Sequence, residues 1–238
     1  MFNFTDQVVM ITGAIGNLGM VLTRAFQSSG AKLALVDRGE ERLRETFPDL
    51  ENSNDSLLVN CADLMDEGAV EAAVAEATQH FGRIDVLVNT VGGFQAGLPL
   101  HKTPVKTWTF LMDLNALSIF IACQKVIPQM LSQGAGKIVN LAARPGLEGQ
   151  AGMSAYSASK SAVIRLTESM AAELKDQGIN ANCVIPGTLD TPRNREGSPE
   201  ADHSAWIQPE SLADVILFLS SDAARDVHGA CLPVYGKG

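Results

Sequence analysis

The stretch VVMITGAIGNLGMVLTRAF, residues 8–26, passes from an apolar strand through a glycine-rich turn into a helix. Gly13, Gly16 and Gly19 follow a G-x-x-G-x-x-G spacing. Lacking side chains, such residues let the backbone turn tightly and approach a pyrophosphate, which then meets the positive end of the following helix. Glycine patterns also occur in ordinary turns. The strand before, the helix after and an acid at the end of the next strand give this one its meaning. That acid is Asp37 in LALVDR, 18 residues beyond Gly19. A carboxylate there suits the adenosine ribose hydroxyls and repels a 2′-phosphate, so NAD(H) is favoured over NADP(H). Arg38 is placed to turn toward a 2′-phosphate, and Asp37 also reads as a solvated strand-end acid.

Outward from this unit, short apolar or β-branched runs alternate with longer helical patterns. Strands are expected at 7–12, 32–37, 56–60, 85–89, 137–141, 180–185 and 230–234, and helices near 17–29, 40–46, 67–81, 105–131, 154–176 and 209–221. Continuous apolar strands imply burial on both faces, as in a parallel sheet. The alternation gives an α/β fold, a single-domain Rossmann-type doubly wound parallel sheet over 1–238, with no linker or internal repeat. Residues 187–208 show no clear periodicity. A loop that long inside a compact domain is more often functional than not.

Hydrophobic residues make up 46% of the 238 and charged residues 19%, a globular composition with enough chain for a sizeable core. The net charge of −9 opposes nucleic acid and anionic membranes, and no basic run reverses it locally. No apolar run is expected to reach the roughly 20 residues of a membrane span. The start, MFNFTDQ, does not read as a signal peptide. Cys61, Cys123, Cys183 and Cys231 form no C-x-x-C pair and read as core residues of a reducing, cytoplasmic compartment. They and the scattered His80, His101, His203 and His228 lack metal-ligand spacing, so no metal is expected.

Tyr156 and Lys160 stand four apart at the start of a helical pattern, which puts them on one face. An unperturbed phenol titrates near ~10. A unit charge about 4 Å away, at an effective dielectric of ~20, is worth roughly 4 kcal/mol, enough to lower the phenol by up to about three pH units. Lys160 is therefore expected to tune Tyr156 into a general acid or base. A surface Tyr and a solvated Lys would be the default reading without the glycine-rich turn.

Together these residues resemble the short-chain dehydrogenase/reductase family over nearly the whole length. TGAIGNLG (12–19) matches its cofactor turn, CADLMD (61–66) the acid after the third strand, VNTVGG (88–93) its Asn-Asn-Ala-Gly segment, DLNALS (113–118) its helix asparagine, YSASK (156–160) its catalytic pair and VIPGTLDT (184–191) its Pro-Gly segment. The resemblance implies cofactor contacts from Gly13, Gly16, Asn17, Leu18 and Gly19, from Asp63 and Leu64 at the adenine, and from Asn89. It also implies that Pro186, Gly187, Thr188 and Thr191 flank the nicotinamide. It makes Tyr156, Lys160 and Asn115 catalytic, with Lys160 on the nicotinamide ribose and Asn115 organising a proton relay. There are two departures. Asn17 stands where the commonest TGxxxGxG pattern has its middle glycine. Ala143, thirteen residues before Tyr156, stands where the family has a serine that hydrogen-bonds the substrate carbonyl. Losing such a donor costs about 10²–10³ in rate. Ser154 and Gln150 are candidates to replace it.

Residues 188–206 and 145–163 are also similar to the dihydropteridine reductases, a branch with the Tyr–Lys pair and no catalytic serine. Its members reduce quinonoid dihydropterins with NADH. Charge arriving on such a ring spreads over its nitrogens, so Ala143 would fit that substrate class. The competing class is a catalytically silent NAD(H)-binding sensor or assembly subunit. Residues 188–206 are expected to form either a packed loop or a lid, with Arg193 and Arg195 as candidates to orient a polar substrate and Phe94 and Met153 as pocket residues. The helices near 105–131 and 154–176 carry apolar residues on more than one side, such as Ile119, Phe120, Ile121, Val163, Ile164 and Leu166. The resemblance implies that they build a homodimer or homotetramer interface.

Overall fold

The apolar runs assemble into one parallel sheet in the computed structural model, which describes residues 2–61 and 63–237. Its strands are β1 (Val8–Thr12), β2 (Lys32–Asp37), β3 (Ser56–Asn60), β4 (Val86–Asn89), β5 (Gly136–Leu141), β6 (Ile179–Pro186) and β7 (Cys231–Val234), in the order β3-β2-β1-β4-β5-β6-β7. Every pairing is parallel. The order reverses between β1 and β4, which is where ligands bind in open α/β sheets.

Helices cover both faces. α1 (Asn17–Ser28), α2 (Glu40–Thr46) and α8 (Pro209–Ser220) lie on one side, where Leu22, Phe26, Leu43 and Ile216 pack with Val9, Ile11 and Leu35. α3 (Glu67–Phe81), α5 (Ser118–Gln133) and α6 (Ser154–Leu174) lie on the other, where Val70, Val126, Met130 and Val163 pack with Met10, Leu87 and Ile138. Local chemistry sets the helix ends. Asp66 caps α3 by accepting from Ala69 N at 2.9 Å, and Gly82 ends it at φ +78°.

Four expectations change. The helix expected over 105–131 continues to Gln133 and is not uniform. α4 (Val105–Met112) passes through a π-helical turn, Asp113–Leu117, into α5. This stretch, Val105–Gln133, is long and apolar enough by composition to cross a membrane, contrary to the sequence reading. Half of its most apolar window is buried, and α5 packs on α3, β4 and β5, so it is a core helix. Of the apolar residues named for self-association, Ile119, Ile121, Val163 and Ile164 are buried in the core, whereas Phe120 is exposed. Finally, the segment 187–208 is not featureless: it contains a short helix, α7 (Pro192–Gly197), and a 3₁₀ turn, His203–Ala205.

Candidate active site

The C-terminal ends of the strands carry the polar groups. Thr12, Asn89 and Asn140 sit side by side in register across β1, β4 and β5. Thr12 Oγ1 donates to Asn89 Oδ1 (3.0 Å), Asn89 Nδ2 to Asn140 Oδ1 (2.9 Å), and Asn140 Nδ2 to Thr167 Oγ1 (3.0 Å) on α6. All four residues are buried. The side chain of Asn89 therefore ties neighbouring strands together. The repeated Val-Asn at the ends of β4 and β5 (88–89 and 139–140) was the available signal for this row.

Above β1 the glycine turn is sterically obligatory. Gly13 has φ +76°, and a Cβ on Gly19 would lie 2.1 Å from the Gly13 carbonyl oxygen. Gly16 precedes α1 as its N-cap and supplies no side-chain cap, so the first N–H groups of the helix are left for a pyrophosphate. Asp37 braces the turn: its Oδ2 accepts from Ile15 N (3.0 Å) and its Oδ1 from Arg38 N (2.8 Å). Asp63 is exposed and accepts from Met65 N through Oδ1 (2.8 Å), with Leu64 half-buried beside it. The residues present fit a dinucleotide. Gly19→Ala is expected to destabilise the fold by about 1–3 kcal/mol, the usual cost of forcing extra atoms into a packed site. It should also weaken NADH binding. Thermal unfolding and a fluorescence titration check both effects.

Asn115 lies in the π-helical turn and is fully buried. Such turns displace a side chain from regular helix packing and recur at functional sites. Its Oδ1 accepts from Gly93 N (2.7 Å), and its Nδ2 donates to Gly93 O (3.1 Å) and Ser159 Oγ (2.9 Å). Ser159 in turn donates to Tyr156 O (2.8 Å). Asn115 thus joins the loop after β4 to the first turns of α6. Gly92 marks the meeting point: a Cβ there would lie 3.0 Å from Asn115 Oδ1 and 3.2 Å from Lys160 Nζ.

Lys160 is 3% exposed, and its Nζ donates to the carbonyl of Leu141 (2.8 Å) at the end of β5. Burial lowers its pKa to about 8. Burial pushes Tyr156 up to about 12, against the lowering expected from Lys160. The Lys160 ammonium gives one of its three hydrogens to the Leu141 carbonyl. The ring of Phe94 stands edge-on to that of Tyr156, centroids 4.9 Å apart at 89°.

Ala143 is buried, in extended backbone (φ −161°, ψ 157°), and leads into a 3₁₀ turn, Arg144–Gly146, that packs on Lys160. Of the proposed substitutes for a hydroxyl, Gln150 is exposed in the following loop. Ser154 lines a small cleft with Gln95, Leu98, Thr107 and Met153, beside the start of α6. Phe94 is outside that lining.

Beyond β6, Pro186 is buried, Thr188 is exposed, and Gly187 N donates to Val234 O (2.9 Å). Thr191 is buried and its Oγ1 accepts from Asn194 N (3.3 Å), capping α7. Arg195, expected to orient substrate, instead forms a two-pronged pair with Asp190. Arg193 is exposed. Among the described residues no group of three His, Cys, Asp or Glu is arranged to hold a metal ion.

A short chain dehydrogenase family model matches residues 7–202. The chain is 38% identical to 2-(R)-hydroxypropyl-CoM dehydrogenase of Xanthobacter autotrophicus, covering 97% of this chain and 98% of the relative. It is 33% identical to levodione reductase of Leifsonia aquatica, covering 98% and 94%. Its fold is similar to the crystal structure of gox2181, with a TM-score of 0.90, 29% identity, and coverage of 98% and 96%.

Proposed function

The chain belongs to the short-chain dehydrogenase/reductase family, and on that premise we propose that it uses NAD(H) to reduce a small carbonyl or conjugated acceptor, with Tyr156 as the proton donor. Membership itself makes it an NAD(P)-dependent oxidoreductase. When bound, the dinucleotide supplies the hydride. The observation that carries the finer reading is the packing of Tyr156, Lys160 and Asn115 around residues 92–94, at the ends of β4 and β5.

The chain's own residues divide the remaining work. Backbone groups of Gly13, Gly16, Asn17, Leu18 and Gly19 hold the pyrophosphate at the start of α1. Asp37 takes the ribose, and its charge supports NAD(H) over NADP(H). Asp63 and Leu64 border the adenine, and Pro186, Gly187, Thr188 and Thr191 border the nicotinamide. Lys160 holds the nicotinamide ribose, and Asn115 keeps the loop after β4 in register with α6. Free thiols at Cys61, Cys123, Cys183 and Cys231 support a cytoplasmic setting. Exposed Trp108, Leu117 and Phe120 on the stretch from α4 to α5 support a homodimer or homotetramer. A single 25 kDa species in light scattering would remove that assembly.

Ala143 favours a second, narrower reading: a quinone-like or quinonoid pterin-like acceptor, as in the dihydropteridine reductases. Charge that spreads over a conjugated ring needs no hydroxyl aimed at one oxygen. The test follows oxidation of NADH and NADPH with quinonoid dihydropterin, quinones and simple ketones. Turnover with NADH, faster on conjugated acceptors than on ketones, is the expected result. Tight NADH binding without turnover across that panel would replace the reading by a silent dinucleotide-binding protein.

A further inference from the structure

The segment between β6 and α8 leaves and returns side by side. Leu189 and Ile207 pair as an isolated parallel bridge. Asp190 N donates to Ile207 O (2.8 Å), and Ile207 N to Thr188 O (2.9 Å). The C-terminal residues brace this base: Gly187 N donates to Val234 O (2.9 Å), and Lys237 N to Ala205 O (3.1 Å).

At the junction sits Asp190, whose side chain is only 6% exposed. Its Oδ1 accepts from Arg195 Nε (2.5 Å), and its Oδ2 from Arg195 Nη2 (2.7 Å) and Gln208 Nε2 (3.0 Å). One carboxylate thus ties the entry of the segment, the helix α7 and its exit. Asn194 Nδ2 adds a bond to Leu189 O (2.9 Å). Apolar anchoring is thin: between 188 and 208 the only buried apolar side chain is Ile207. A segment with so little buried apolar surface is held by its polar contacts. A planar two-pronged guanidinium–carboxylate pair is the strongest and most directional of these. Arg195 and Gln208 also hold the Asp190 carboxyl down at about 2, so the contact stays charged at neutral pH.

We propose that Asp190, acting through Arg195 and Gln208, is a positioning residue that fixes the 188–208 segment beside the substrate end of the site and so sets affinity for the acceptor. This rests on the reductase reading above. Arg195 and Gln208 take up both Asp190 carboxylate oxygens. Through them Asp190 sets where α7 and the Trp206 end of the segment stand.

The test uses Asp190→Asn and the milder Arg195→Lys in full-length protein. The chain has two tryptophans, so in a Trp108→Phe background Trp206, inside the segment, reports alone. Asp190→Asn is expected to raise acrylamide quenching of Trp206 about twofold or more and KM for the best acceptor about tenfold, the scale set by losing one charge-assisted hydrogen bond. Motion confined to the segment leaves kcat within about threefold and NADH affinity within about twofold. Arg195→Lys, which keeps the charge and loses the fork, should fall between Asp190→Asn and the parent. It also serves as the test if Asp190→Asn does not fold. Unchanged Trp206 quenching, or an NADH affinity that falls in step with the KM effect, would overturn the proposal. A parent protein that turns over no acceptor removes the reductase reading and the link to acceptor affinity with it. The quenching result still separates that failure from failure of the clamp.

Discussion

Replacing Tyr156 with phenylalanine is expected to lower kcat about 10²- to 10⁴-fold, the range for removing a positioned general acid. NADH affinity should change little. The substitution deletes one oxygen and keeps the ring, so the edge-on contact with Phe94 survives. Single-turnover kinetics together with an NADH titration separate chemistry from binding. A phenylalanine variant as fast as the parent on its best acceptor would end the assignment. The pH profile offers an independent check, because Lys160 titrates far below its usual range, at about 8. The reductive rate is expected to fall as pH rises through about 8 and the ammonium is lost. Unfolding does not explain that fall. The folded pKa of Lys160 lies below the unfolded value of ~10.4, so between about 8 and 10 the unfolded chain binds more protons and this group's contribution to stability rises with pH. Unchanged circular dichroism across that window would accompany the loss of rate.

Restoring a hydroxyl by Ala143→Ser is expected to raise kcat/KM for simple ketones about 10²- to 10³-fold, the reverse of losing one donor to a developing oxyanion. Turnover of conjugated acceptors should change much less. Ala143 continues the line of β5 two residues beyond Leu141, whose carbonyl receives Lys160, so residue 143 begins next to the Tyr156–Lys160 pair. The change adds a single oxygen to a buried, extended position, a small steric demand. Steady-state rates on matched ketone and quinone substrates decide the matter. Equal rates for variant and parent on every ketone would mean that a substrate oxygen does not approach this position. The link between Ala143 and a conjugated acceptor would then lose its basis.

Much of this is legible in the sequence. Strand and helix limits fall within a few residues of those expected, because apolar runs and 3.6-residue periodicity are local properties of the chain. The glycine turn was legible for the same reason. A Cβ at Gly19 collides with the Gly13 carbonyl six residues earlier, so the constraint is written in adjacent sequence. The long helix misled in both its apolarity and its regularity. Hydropathy does not say whether a face meets lipid or a sheet, and a π-helical turn adds a residue to a turn without changing the apolar pattern.

The residues by themselves determined the parallel α/β architecture, the dinucleotide turn and the pairing of Tyr156 with Lys160 on one helix face. Only the tertiary structure decided what those side chains touch. Lys160 meets the Leu141 carbonyl, Asn89 meets Asn140, and Asn115 meets Gly93, each across tens of residues brought together by the sheet and the helices packed on it. The same packing half-buried Tyr156, and Arg195, itself still exposed, pairs with the buried Asp190 carboxylate. Burial and hydrogen-bond partners set the charge state of a group, and both depend on neighbours that spacing along the chain does not specify.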